Sequence, residues 1–155
     1  MSFHTISFKK KLPLSFRKDL EKIFFFNLNQ AKHLDGIQQS IDLYGLMKIV
    51  EDGNDIRLEF EKSKPESLFA LDGDGFNASF LGVICYEFKG DICEICHIAV
   101  DPECTFAGSF EPEMITYRLV EKVRKIALDH NCTKIKIPYS DKYINIKQKI
   151  LTILE

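Results

Sequence analysis

The chain has 155 residues, of which 45% are hydrophobic, and its 21 basic residues nearly balance its 23 acidic ones. This length suits one domain over residues 1–155, and the apolar content is enough for a core without disulfides or metals. Near-neutral charge disfavours a nucleic-acid-binding surface, which needs a concentrated basic field. The densest basic run, Lys9–Lys11, is short and is interpreted as a solvated strand end.

Targeting signals and cysteine usage indicate the compartment. Charged residues interrupt the most apolar part of the first 30 positions, and no segment approaches the ~20 apolar residues of a membrane span. We therefore expect neither a signal peptide nor membrane association. Five cysteines without the spacing of a disulfide framework predict reduced thiols and a cytoplasmic protein.

The N-terminal region is predicted to contain one strand and two helices. His4–Lys9 alternates apolar and polar residues, as a strand does. Ser15 is the expected cap of a first helix. The apolar face of that helix comprises Phe16, Leu20, Ile23 and Phe24. A second helix is predicted over Asp35–Tyr44, with Gly45 at the position of a C-terminal glycine.

The middle of the chain is predicted to form β-hairpins. The expected strands are Leu46–Glu51, Ile56–Glu61, Leu68–Leu71, Phe80–Phe88 and Ile92–Val100. Asp52–Asp55 is a strong turn signal between the first two strands, and Lys89–Asp91 is a turn between the last two. Those last two strands are apolar on both faces, which is typical of central strands covered by helices.

The C-terminal region is predicted to form a helix, a strand and a final helix. The first helix covers Glu111–His130. Its buried stripe comprises Ile115, Leu119, Val123, Ile126 and Ala127. Lys134–Pro138 alternates as a strand, and apolar residues from Ser140 onward recur at helical spacing. The fold class is therefore α+β, with a central, mostly antiparallel mixed sheet flanked by helices.

Two motifs suggest metal or haem chemistry but have simpler interpretations. Cys93-Glu94-Ile95-Cys96-His97 reads as C-x-x-C-H, yet it lies in a strand, where residues three apart point to opposite faces. The Asp72–Gly75 segment lacks the later ligands of a calcium loop and is interpreted as a hairpin turn. We expect no metal and no haem. The four histidines are scattered, so no nucleophile–base pair is predicted.

One segment resembles a known family. Glu94–Glu103 is similar to the strand that precedes the cofactor loop in the GNAT (N-acetyltransferase) superfamily: an acidic residue, a hydrophobic one, two variable positions, then hydrophobic-x-Val-x-Pro. The Leu81–Ile84 strand resembles the family strand with a hydrophobic-Gly pair, and the order of elements is also similar. The 46–61 hairpin has no clear counterpart and is interpreted as an insertion.

This resemblance implies an acyl-CoA-dependent transferase that moves an acetyl or other acyl group to an amine acceptor. The strands Phe80–Phe88 and Ile92–Val100 would part to admit the pantetheine arm, and the following loop and helix would hold the pyrophosphate. Glu94 is the candidate catalytic base. The residues that match cofactor-binding positions are Ile98, Val100, Thr105, Phe106, Ala107, Gly108, Ser109 and Phe110.

The chain also departs from the family pattern. Thr105 replaces the usual loop cation, and Gly108 is the one loop glycine that remains. The tyrosine proton donor is not at its matching position, which leaves Tyr139 and Tyr143 as substitutes. A second hypothesis is therefore a non-catalytic GNAT-like interaction or regulatory domain that has lost cofactor binding. The missing last hairpin of the family would leave a sheet edge that a second copy could cover as a homodimer.

Overall fold

A computed structural model describes residues 6–24, 38, 41–73, 78–101, 112–137 and 142–147. Its strands are β1 (Ile6–Lys9), β2 (Leu12–Pro13), β3 (Met47–Asp52), β4 (Asp55–Phe60), β5 (Glu66–Asp72), β6 (Ser79–Lys89), β7 (Ile92–Val100), β8 (Lys134–Lys136) and β9 (Tyr143–Asn145). A 3-10 turn, Leu14–Phe16, leads into helix α1 (Arg17–Phe24), and α2 is Pro112–Asp129. Residues 41–44 are also helical.

The main sheet contains six of these strands in the order β1-β5-β6-β7-β8-β9. Its neighbours are antiparallel except for β7 and β8, which are parallel and are connected by a crossover through α2. A short hairpin reverses the chain and so joins only antiparallel strands. Two parallel neighbours therefore need a longer crossover connection. The α+β class with a mostly antiparallel sheet is confirmed.

Two hairpin turns each contain a glycine whose backbone has a positive φ. The pairs Asp52↔Asp55 and Lys89↔Ile92 each enclose a two-residue turn. Gly53 and Gly90 occupy the first central positions with φ of 66° and 61°. Glycine at that position is the requirement of a type II′ turn, whose twist matches that of the flanking strands. Both predicted turns are therefore confirmed.

The β3–β4 hairpin belongs to a second sheet of three strands in the order β2-β4-β3. It is held to the N-terminal segment by the pairs Leu12↔Ile56 and Pro13↔Asp55. Ile56 and Leu58 of β4 are buried. This hairpin therefore extends the core on one side of the main sheet.

Two hydrophobic clusters cover opposite faces of the main sheet. On one face, α2 packs through its predicted stripe, with Ile115, Leu119, Val123 and Ala127 buried and Ile126 half-buried. On the other face lie α1, Tyr44 and the three-stranded sheet. Leu20 and Ile23 of α1 are buried there, as predicted. Strands β6 and β7 contribute residues to both clusters and are central strands covered on both sides, also as predicted.

Two sequence-based expectations are wrong in detail. Ser15 is not the cap of the first helix but lies inside the 3-10 turn before it, and that turn begins after Pro13 without a side-chain cap. The predicted C-terminal helix contains strand β9 at Tyr143–Asn145, which pairs with β8. Ile144 packs on the cluster beneath α2, and its two neighbours face away from that cluster. The side chains of this segment therefore alternate as in a strand and do not follow the helical spacing. Residues 146 and 147 form a turn, and residues 148–155 lie outside the described residues.

None of the helices that the structure describes is long and apolar enough to cross a membrane.

Candidate functional site

A row of polar residues crosses the main sheet on the face opposite α2. Directly paired residues on β6, β7, β8 and β9 are Glu87↔Glu94, Glu94↔Lys136 and Lys136↔Tyr143. Paired residues point to the same face of a sheet, so these four side chains form one line, which we call the polar row. Adjacent strands are ~4.8 Å apart, which places Glu94 and Tyr143 about 10 Å apart at the backbone.

The Glu94 carboxylate is bound by two donors. The Tyr44 hydroxyl donates to Glu94 Oε2 at 2.7 Å, and the Lys89 ammonium lies 3.2 Å from the same oxygen. The Glu94 side chain is 13% exposed. Burial by itself would raise the pKa of Glu94, but the bonds from Tyr44 and Lys89 outweigh it and lower the pKa below its ordinary value. Glu94 is therefore ionised at neutral pH.

Tyr44 is a buried residue with a polar tip directed at the polar row. Its ring packs on Phe60 with centroids 5.9 Å apart. The ammonium groups of Lys89 and Lys136 lie 5.4 and 5.9 Å from its centroid, which is cation–π range. Burial and the bond to Glu94 raise the pKa of Tyr44, so its hydroxyl remains a proton donor.

The chain after Tyr44 fixes its position. The Gly45 N–H donates to Ile41 O at 2.8 Å, and Gly45 has φ of 86°, as expected of the glycine that ends a helix. A Cβ at Gly45 would lie 2.6 Å from Glu61 Cβ. Glycine is therefore required both for its backbone conformation and for close packing on the end of β4, and the predicted C-terminal glycine is confirmed.

Glu87 brings a second carboxylate to the polar row. Glu87 Oε2 is buried and has no hydrogen-bond partner among the residues that the structure describes. A buried oxygen without a donor is destabilising. Glu87 lies across the strand pair from the ionised Glu94, so the polar row contains two carboxylates beside the ammonium groups of Lys89 and Lys136.

The cysteines of the C-x-x-C-H segment are on opposite faces of β7, as predicted. Cys93 lies in the cluster beneath α2, and Cys96 lies in the cluster on the other face. Burial raises the pKa of Cys93 to about 12 and also raises the pKa of Cys96, so neither thiol is a nucleophile at neutral pH. Within the described ranges, no group of three or more His, Cys, Asp or Glu residues is placed to hold a metal ion.

The expected parting of β6 and β7 is wrong. Their ladder continues through Gly82↔Val100, and the Asp101 N–H donates to Leu81 O at 2.8 Å. No slot for a pantetheine arm exists between these two strands. The ladder closes here because Gly82 has no Cβ, which would otherwise lie 2.9 Å from Ala99 O.

The shorter ladder is on the other side of β7. The parallel β7–β8 pairing consists of Ile92↔Lys134, Cys93↔Ile135 and Glu94↔Lys136. Strand β7 then continues for six residues without β8 beside it in the described ranges. Ile98 and Val100 lie in this extension with buried side chains packed toward α2, and both residues have interaction partners. The other candidate cofactor residues, Thr105 to Phe110, lie outside the described residues.

Sequence reasoning found Glu94 but missed its partners. Tyr44 has the apolar spacing of a helical core residue, and nothing in the sequence links it to a strand 50 positions later. Lys136 alternates with Ile135 and so reads as a solvated strand residue, although it is 5% exposed. Tyr143 was considered a substitute proton donor, and the structure places it in the polar row with Glu94.

Compared with protein-family models, curated proteins and solved structures, the chain matches none of them. Its function must therefore be argued from the polar row and its surroundings.

Proposed function

We propose that the chain is an acyl-CoA-dependent N-acyltransferase whose acceptor amine binds at the polar row. The observation that carries the proposal is the placement of an ionised carboxylate, Glu94, and an exposed tyrosine, Tyr143, on one face of the sheet. Transfer of an acyl group from a thioester to an amine needs an anion to hold the amine and a proton donor for the leaving thiolate. The resemblance of Glu94–Glu103 to GNAT enzymes supports the same reaction.

The proposed reaction needs no metal and no covalent enzyme intermediate. The amine nitrogen attacks the thioester carbonyl, the new C–N bond forms, and the C–S bond breaks. The proton lost by the amine passes to water, the thiolate takes a proton from the Tyr143 hydroxyl, and water returns a proton to the resulting tyrosinate. The low pKa of Glu94 makes it a poor proton acceptor near pH 7, so it serves here to hold and orient the amine.

The proposed place for the acyl-CoA arm is the β8 side of β7, beyond the pair Glu94↔Lys136. The closed ladder excludes the β6 side, whereas the described β8 ladder ends at this pair. An arm lying there would bring its thioester to the end of the polar row. The Lys136 ammonium, between Glu94 and Tyr143, would then lie near the carbonyl oxygen as charge develops on it.

Acetyl-CoA binding is tested by thermal unfolding of the full chain, because a ligand that binds the native state alone stabilises it. Acetyl-CoA at ten times its Kd stabilises by about 1.4 kcal/mol, which raises the Tm of a chain this size by about 3–6 °C. Turnover is measured as release of free CoA thiol with a panel of primary amines. An unchanged Tm at millimolar acetyl-CoA would reject the proposal.

Variants separate catalysis from binding. Glu94→Gln and Tyr143→Phe should each lower amine-dependent thiol release by at least about tenfold, within the range of a lost acid–base or positioning group. Both should keep the thermal shift with acetyl-CoA. Glu61→Gln and Tyr117→Phe are matched controls outside the polar row and should retain full turnover.

A second candidate is a non-catalytic domain of GNAT-like fold that has lost cofactor binding. The observation that favours it is that Glu94 already has partners within the protein. Its Oε2 accepts a hydrogen bond from Tyr44 and forms an ion pair with Lys89, so the protein's own lysine occupies the place of an acceptor amine. The expected result is then no thermal shift and no thiol release. A thermal shift without thiol release would indicate a domain that binds acyl-CoA without transferring the acyl group.

A further inference from the structure

A cleft of about 410 Å³ lies away from the polar row, where the β1–β2 connection, the β3–β4 hairpin and the start of β5 meet. Its volume is within the range of small-molecule sites in proteins. Leu58 and Phe69 line it but are almost fully buried, so the apolar surface that the cleft exposes comes from the half-buried Pro65 and the aliphatic stems of its lysines.

Three lysines from separate parts of the chain line this cleft. Lys10 and Lys11 come from the β1–β2 connection, and Lys64 comes from the segment before β5. All three are exposed, and within the described part of the chain none of them makes an ion pair or a side-chain hydrogen bond. Like charges gathered in one cleft repel each other, and an anion between them would relieve that repulsion.

The remaining charges of the cleft do not cancel these lysines. Arg57 also lines it but is engaged by Glu59 at 3.1 Å and Asp52 at 3.7 Å. The other acidic lining residues are Asp55 and Glu66, which are fewer than the three lysines. The lining as a whole has four cationic and three anionic side chains, so it keeps one net positive charge.

We propose that this cleft binds a small organic anion, with its phosphate or carboxylate group at Lys10, Lys11 and Lys64 and its apolar part against Pro65 and the lysine stems. The basic run Lys9–Lys11, interpreted from sequence as a solvated strand end, thereby gains a role because Lys64 lies beside it in the fold. This inference does not depend on acyl transfer or on the polar row.

The test is a titration of the full chain with phenyl phosphate, followed by the amide chemical shifts of Arg57 and Glu66. Phenyl phosphate should bind about tenfold more tightly than inorganic phosphate, because the ring buries apolar surface that the free ion lacks. Benzoate should shift the same amides if a carboxylate suffices, and raising the salt concentration should weaken both ligands. Benzylamine should bind at least about tenfold more weakly than phenyl phosphate.

Charge-neutralising variants identify the groups that hold the anion. Lys64→Gln should weaken phenyl phosphate about threefold, and the double variant Lys11→Gln/Lys64→Gln about tenfold, as expected for partly exposed ion pairs. Lys18→Gln removes the same charge from α1, outside the cleft, and should leave the Kd unchanged. Absence of cleft shifts at tens of millimolar phenyl phosphate, equal binding of benzylamine, or an equal loss in Lys18→Gln would each overturn the proposal.

Discussion

The Glu94 carboxylate shows how single residues set the chemistry of the polar row. Burial alone would raise the pKa of this carboxylate. The hydrogen bonds from Tyr44 and Lys89 lower the pKa by more than burial raises it. The Tyr44 hydroxyl is the shorter contact and comes from a buried side chain, whereas the Lys89 side chain is 53% exposed and is partly screened by water. Tyr44 is therefore the stronger determinant of the charge state of Glu94.

Replacing Tyr44 by Phe should destabilise the protein by about 1.5–3 kcal/mol at pH 7, the range for a hydrogen bond to a charged group. The folded-state pKa of Glu94 is lowered, so the stability that it provides is present above its unfolded pKa of about 4.3 and is lost as the pH falls through the folded pKa. The difference in free energy of unfolding between wild type and variant should therefore become smaller below about pH 4.3. Urea denaturation at a series of pH values measures this difference.

The control for this experiment is Tyr117→Phe, which removes a hydroxyl from α2 rather than from the polar row. It should change the free energy of unfolding by less than about 0.5 kcal/mol at every pH. A pH-independent loss in Tyr44→Phe would show that the hydroxyl contributes packing rather than stabilisation of the ionised carboxylate.

Strand pairing decides where a ligand can approach β7. On the β6 side the ladder is closed as far as Asp101, whereas on the β8 side the parallel ladder has three pairs. The sequence pattern of β7 carries no information about how far each of its edges is covered. The strand and its hairpin with β6 were therefore predictable, and the extent of its two ladders was not.

Gly82→Ala tests the closed ladder at the level of the element. The added Cβ would lie 2.9 Å from the carbonyl oxygen of Ala99, a backbone atom that cannot move away alone. We expect a loss of about 1–3 kcal/mol in the free energy of unfolding, measured by chemical denaturation. An unchanged free energy of unfolding in Gly82→Ala would argue against the close approach.

At the scale of the whole molecule, one sheet separates two hydrophobic clusters. Leu119 of α2 is buried in one, and Leu58 of the three-stranded sheet is buried in the other. Strands β6 and β7 supply residues to both, so the loss of either cluster exposes the same strands. We therefore expect the described parts of both sheets to unfold together, as in a single domain.

Leu58→Ala and Leu119→Ala should each cost about 2–5 kcal/mol, the range for a large-to-small change in a core. Each should lower the midpoint of a single unfolding transition seen together by far-UV circular dichroism and tyrosine fluorescence. If Leu58→Ala produced a separate early transition, the three-stranded sheet would be an independent unit and the single-domain prediction would fail.

Local patterns were sufficient for most elements of this protein but not for β9, and long-range pairing was needed for its site. Glycines at turn positions, the apolar stripe of α2 and the doubly apolar strands β6 and β7 are set by neighbours in sequence, so the hairpins, α2 and the α+β class were predictable. The polar row and the cationic cleft join residues dozens of positions apart. Tyr143 reads as part of a helix until β8 pairs with it, and Lys64 has no relation to Lys10 until the sheets pack. Tertiary structure alone decided these features, because strand order and register depend on which buried surfaces fit together.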